Sequence, residues 1–114
     1  MILKHVIVAA SIGILLLPPS YAGGATLQDV FNVKTLHQAC IAPKESQTFG
    51  RCFGYVQGVA DAMMGKTFCL GDRVDYSALI QAYNNWAAAH PEKWTEFQII
   101  GVMTALSEKW PCKD

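Results

Sequence analysis

Ser46-Gln47-Thr48-Phe49-Gly50-Arg51-Cys52-Phe53-Gly54-Tyr55-Val56-Gln57-Gly58-Val59-Ala60-Asp61-Ala62-Met63-Met64-Gly65 is the stretch on which the fold turns. Phe49, Cys52, Phe53, Val56, Val59/Ala60 and Met63 recur at intervals of three and four, the period of an apolar helix face. Gly50, Gly54 and Gly58 form a second row, each one turn from the last. An interior glycine costs a helix about 1 kcal/mol against alanine. The expectation is that another helix approaches closely along that row, with Gly54 and Gly58 as structural residues. Arg51, Gln57 and Asp61 interrupt the apolar run, so the segment is not a membrane helix. Ser46 is its expected N-cap and Gly65 its end.

Upstream, Lys4 and His5 make a weakly basic start, and Val6 to Leu17 is apolar but too short to span a bilayer. Pro18-Pro19-Ser20-Tyr21-Ala22 follows, with small residues at Ser20 and Ala22. Residues 1–22 therefore read as a secretory signal peptide and residues 23–114 as a single mature domain. No cysteine follows the expected cleavage site, which argues against a lipid anchor, and no stable membrane insertion is expected after cleavage. Gly23-Gly24-Ala25 reads as a disordered mature terminus.

The remaining chain reads as helices and loops, with no convincing strand pattern. Asn32 is expected to cap a helix from Val33 to Cys40, with Val33, Leu36 and Cys40 inward; Asp29 could cap a longer version. Pro43 interrupts the loop that follows. Lys66 to Val74 is a loop with a Gly71-Asp72 turn signal. Asp75 is expected to cap a third helix with a Tyr76, Leu79, Ile80, Tyr83, Trp86, Ala87 stripe. His90-Pro91-Glu92 ends it, Pro91 suiting a first helical turn. A fourth helix is expected from Pro91 to about Lys109. The class is all-α, about four helices.

Nine basic and nine acidic residues balance to a formal charge of zero. They are dispersed, which excludes the basic face of a nucleic-acid binder. Four cysteines in an exported chain point to two disulfides that supplement a small core. Short connections favour antiparallel neighbours. Cys40 ends one helix and Cys52 begins the next, so both lie at one end of the bundle. Cys69 and Cys112 follow the second and fourth helices and lie at the other end. Cys52 and Cys69 are separated by most of a helix, on the order of 25 Å at 1.5 Å per residue. A disulfide needs Cα atoms within about 7 Å, so the expected pairing is Cys40–Cys52 and Cys69–Cys112.

Chemistry is hard to find. His37 and Cys40 have ligand-like spacing, but no Cys-x-x-Cys pair supports a zinc site or a thioredoxin-type centre, and no metal or cofactor is expected. His37 and His90 read as surface or capping residues. Ser77 and Ser107 lack a nearby base in sequence. Asp61 reads as structural, paired with Gln57 or capping a neighbouring helix. Tyr55, Trp86, Trp94 and Trp110 read as core or half-core. No catalytic role is assigned, and the chain is expected not to be an enzyme.

Cys52-Phe53-Gly54-Tyr55-Val56-Gln57-Gly58-Val59-Ala60-Asp61, Phe68-Cys69-Leu70, His90-Pro91-Glu92, Ala105-Leu106 and Trp110-Pro111-Cys112 together resemble the Rap/Tai family of type VI secretion immunity proteins. The resemblance runs from about Leu36 to Cys112. It implies a small periplasmic helical protein that binds a cognate peptidoglycan amidase and occludes its active site. It also admits a homodimer. Leu70-Gly71-Asp72-Arg73 stands where the family pattern has a proline soon after the cysteine.

An inhibitor of this kind needs a rigid scaffold and exposed loops that enter a cleft. The candidate partner-binding residues are Asp72 and Arg73, with Lys66 and His90; Pro91 sets the second loop's geometry. Two other functions fit the composition: a subunit of an envelope assembly, and a periplasmic acid-stress chaperone. The chaperone would need clustered titratable groups as a trigger, and the chain has few.

Overall fold

The computed structural model describes residues 24–113; the expected signal peptide lies outside them. Among the described residues there are five α-helices: α1 (Leu27–Val30), α2 (Val33–Cys40), α3 (Gln47–Met63), α4 (Tyr76–Ala89) and α5 (Gln98–Lys109). A short 3-10 helix spans Pro91–Lys93.

Side-chain caps set three of the starts. The side chains of Asn32, Ser46 and Asp75 accept from the amides of Thr35, Phe49 and Ala78, each three residues on. Each satisfies a donor that the first turn leaves without an intrahelical partner. The single-turn α1 was not expected. Thr26 and Asp29 form a reciprocal capping box around it, so Asp29 closes this turn instead of opening a longer α2.

The fourth helix departs from expectation. Instead of running unbroken from Pro91, the chain turns through Trp94-Thr95-Glu96-Phe97 and restarts at Gln98. The carbonyls there are committed elsewhere. Glu96 accepts from the Val33 amide at 2.9 Å and Trp94 from the Lys34 amide at 3.1 Å. The Gln98 amide in turn donates to Phe31 at 2.8 Å, and Asn32 and Phe97 form an antiparallel bridge. The break thus satisfies the exposed amides of α2, and an unbroken helix would leave them without partners.

α2 packs against α3, α4 and α5, and α4 lies along α5. Val33, Leu36, Cys52, Val56, Phe68, Leu79, Tyr83, Val102 and Leu106 fill the centre. Tyr83 is fully buried and its hydroxyl donates to the Val33 carbonyl at 2.8 Å. Burial pushes that hydroxyl's pKa far up, so it remains a donor at all working pH. The apolar face of α3 is narrower than its period suggests. Cys52, Val56, Val59 and Ala60 are buried, whereas Phe53 lies 40% exposed against Tyr76.

Both disulfides join the expected cysteines. Cys40–Cys52 has its Cα atoms 5.0 Å apart and Cys69–Cys112 has them 4.8 Å apart.

The glycine row does not do what the sequence suggests. A Cβ placed on Gly50, Gly54 or Gly58 would meet nothing within 4 Å, so no helix of this chain approaches there. The close approach is at Gly101 in α5. A Cβ there would lie 2.8 Å from Val33 Cγ2 and 3.2 Å from both Trp86 and Tyr83. Gly101→Ala is therefore expected to destabilise by about 1–3 kcal/mol through overpacking. Gly54→Ala is expected to stabilise by up to about 1 kcal/mol through helix propensity. Thermal unfolding of the two variants side by side checks the assignment, and melting shifts of the opposite order would overturn it.

Candidate functional site

The loop between α3 and α4 is an exposed segment held at several points. α3 stops at Met63, and Gly65 takes φ 81°, a left-handed conformation that glycine adopts without strain. The Gly65 amide donates to the Phe68 carbonyl at 2.7 Å, so the chain curls back, and Phe68 goes fully into the core. The neighbours of Phe68 are tied to the end of α5. The Ser107 hydroxyl donates to the Thr67 carbonyl at 3.1 Å, the Cys69 amide donates to the Trp110 carbonyl at 2.9 Å, and Cys69 is bonded to Cys112. After this anchor the chain turns again, with Val74 donating to Gly71. Lys66, Asp72 and Arg73 are exposed on either side of the anchor. Among the described residues none of the three is in a salt bridge.

The second candidate segment lies at the far end of α4. His90 Nδ1 sits 2.9 Å from Glu92 Oε2, and its ring lies 4.9 Å from that of Trp86. The hydrogen bond with His90 holds the Glu92 carboxyl below its usual pKa, with its own backbone amide helping. Trp94 Nε1 donates to the Ala87 carbonyl at 2.8 Å and fixes the turn after α4. His90 starts the Pro91–Lys93 turn without a side-chain cap bond.

These candidates are not one cluster. Lys66, Asp72 and Arg73 share the α3–α4 loop; His90 is separated from the end of that loop by the length of α4, about 20 Å at 1.5 Å per residue. A cleft of about 560 Å³ lies along α4 and reaches His90, and no residue of the α3–α4 loop lines it. Ala78, Ala82 and Ala89 leave it open, Gln81 and Asn85 hydrogen-bond each other on it, and it runs from Trp110 to His90. Glu108 and Lys109 of α5 line it too. The sequence carries a faint signal for this cleft in the alanines on one side of α4, which a search for apolar stripes reads as filler.

Other polar residues hold the fold. Asp61 accepts from the Tyr76 hydroxyl at 3.1 Å, not from Gln57, and this bond raises the Tyr76 pKa. His37 Nδ1 lies 3.0 Å from Asn84 Oδ1, and the Asn84 amide donates to the Cys40 carbonyl at 3.1 Å. That pairing across 47 residues has no local sequence signature. Gln98 is buried beside Tyr55, and its Oε1 has no hydrogen-bond partner. Burial raises the Tyr55 pKa, and a hydrogen bond with Gln98 opposes it.

Among the described residues no group of three or more His, Cys, Asp or Glu side chains could hold a metal ion, and all four cysteines are in disulfides. No helix there is long and apolar enough to cross a membrane. The arrangement presents two positioned loops at opposite ends of α4 and a cleft along α4 and α5, suited to holding a macromolecular partner.

No curated protein and no solved structure matches the chain. A family model described as Rap1a immunity proteins matches residues 32–112, a range that starts at the α2 cap and ends at the last cysteine. With that match across nearly every element of the bundle, the chain belongs to the Rap1a immunity protein family.

Proposed function

We propose that this chain is a periplasmic immunity protein that binds and inhibits a type VI secretion peptidoglycan amidase by occluding its active site. The family supports a toxin-binding inhibitor rather than an enzyme. Two disulfides fit an oxidising compartment reached by export. The single observation that carries the reading is the Lys66–Val74 loop. It is pinned by Phe68, by the Trp110 carbonyl and by Cys112, yet presents Asp72 and Arg73 to solvent. A loop ordered before binding loses little conformational entropy when it enters a cleft.

The test is to purify the oxidised chain, mix it with the amidase encoded beside it, and follow peptidoglycan hydrolysis and complex stoichiometry. Inhibition in a one-to-one or two-to-two complex is expected. An amidase that binds nothing and keeps full activity sinks the reading. Asp72→Ala with Arg73→Ala is expected to weaken inhibition about 10- to 100-fold, or roughly 1.4–2.8 kcal/mol, while leaving the melting temperature unchanged. His90→Ala, at the far end of the cleft, is expected to cost less.

A further inference from the structure

The two disulfides differ in reach. Cys40 and Cys52 are 3% and 0% exposed, where α2 packs on α3. Cys69 and Cys112 are both exposed, at the surface where the α3–α4 loop meets the end of α5. Thiol–disulfide exchange needs a thiolate to touch a disulfide sulfur, so access decides which bond reacts in the folded chain. We propose that Cys69–Cys112 is a site of exchange with a dithiol protein in the compartment that the chain occupies, and that opening it frees the part of the loop carrying Asp72 and Arg73.

The surroundings assign the sulfur that is attacked. Cys112 lies past the end of α5, between Pro111 and Lys113, and all three residues are exposed. Cys69 lies between Phe68, which is fully buried, and the half-buried Leu70, and its amide is bonded to the Trp110 carbonyl. The open side is therefore that of Cys112. A thiolate of the dithiol protein bonds to Cys112 Sγ, the Cys69–Cys112 bond breaks, and its electron pair leaves on Cys69 Sγ. The second thiolate of the dithiol protein then attacks its own partner sulfur in the mixed disulfide and releases Cys112 as a thiolate beside the Lys113 charge. The dithiol protein ends as a disulfide. The chain gains two electrons and, as its thiolates are neutralised, two protons. The reverse sequence closes the bond again.

The loop has two halves, and only the second depends on the sulfurs. Up to Cys69 the chain is held by Phe68 in the core, by the Ser107 hydroxyl on the Thr67 carbonyl, and by the Cys69 amide on Trp110. Reduction removes none of these. From Leu70 to Val74 the backbone bond is local, from the Val74 amide to the Gly71 carbonyl, and Leu70 and Val74 are only half-buried against the core. Such a segment opens without unfolding the domain. The consequence for inhibition rests on the proposed function; the exchange itself does not.

The experiment adds reduced thioredoxin to the oxidised chain at neutral pH, quenches with an alkylating reagent at intervals, and maps the labelled cysteines by mass. Cys69 and Cys112 are expected to be labelled at least about tenfold sooner than Cys40 and Cys52, through an intermediate that keeps its helical circular dichroism. A thioredoxin lacking its second active-site cysteine is expected to be captured on Cys112. In the intermediate, tryptic cleavage at Arg73 should rise while cleavage at Lys66 stays as it was. Simultaneous opening of both bonds, or earlier opening of Cys40–Cys52, overturns the proposal, as does capture on Cys69 or an Arg73 site as resistant as before. An oxidised chain that inhibits no amidase removes the proposed function and leaves the exchange site standing. An oxidised chain that inhibits, with a one-disulfide form that inhibits equally well, keeps that function and removes its control by exchange.

Discussion

Phe68→Ala is expected to lower the unfolding free energy by about 3–5 kcal/mol, the usual cost of emptying a fully buried aromatic site. The size matters because a domain of this length has a total stability of about 5–15 kcal/mol. Phe68 is the only fully buried aromatic side chain in the α3–α4 loop, and the loop is wrapped around it. Its carbonyl receives the Gly65 amide, and the residues on either side, Thr67 and Cys69, are bonded to Ser107 and Trp110. Removing the ring deletes the packing that places these bonds. The measurement is denaturant unfolding of the oxidised protein, with tryptic cleavage at Lys66 and Arg73 as a local readout. A stability loss below about 1 kcal/mol, with cleavage unchanged, would mean that the disulfide alone positions the loop.

Cys69→Ser with Cys112→Ser is expected to cost about 4 kcal/mol, and Cys40→Ser with Cys52→Ser about 3 kcal/mol, from the chain entropy each bond removes from the unfolded state. The difference comes from the separations, 43 residues against 12. The longer link also closes the α3–α4 loop onto the end of α5. Its loss should weaken inhibition even under conditions where the variant remains folded, because Asp72 and Arg73 are then no longer held. Removing Cys40–Cys52, at the opposite end of the bundle, should cost stability with a smaller effect on inhibition. Thermal unfolding of the two double variants, followed by inhibition assays well below their melting points, separates these effects. Equal losses of inhibition would show that the loop does not need its clamp.

Several elements were legible because their causes are local. Asn32, Ser46 and Asp75 cap their helices through bonds that reach only three residues forward, so the capping residue and its target are read together. The disulfide pairing was legible for a related reason. Helices of known rise keep Cys52 far from Cys69, and any other pairing would have to cross the bundle from end to end. The candidate loop was legible as a loop, from Gly71-Asp72, but its anchor was not. Nothing in the sequence says that Phe68 turns inward while Lys66 stays in solvent.

The sequence by itself determined the helical class, three helix starts, the ends that the cysteines tie, and the exposed charges that a partner could meet. The tertiary structure alone decided the break before Gln98, because the carbonyls of Trp94 and Glu96 are taken by amides some sixty residues earlier in the chain. It decided which glycine matters: the row in α3 faces outward, and Gly101 is the one pressed against Val33, Tyr83 and Trp86. It also decided that Phe68 anchors the α3–α4 loop in the core while Lys66, Asp72 and Arg73 stay in solvent. Caps and periods follow from bonds within one turn. A contact between distant segments is selected only when the whole core closes, and a helix period says which residues share a face without saying what that face meets.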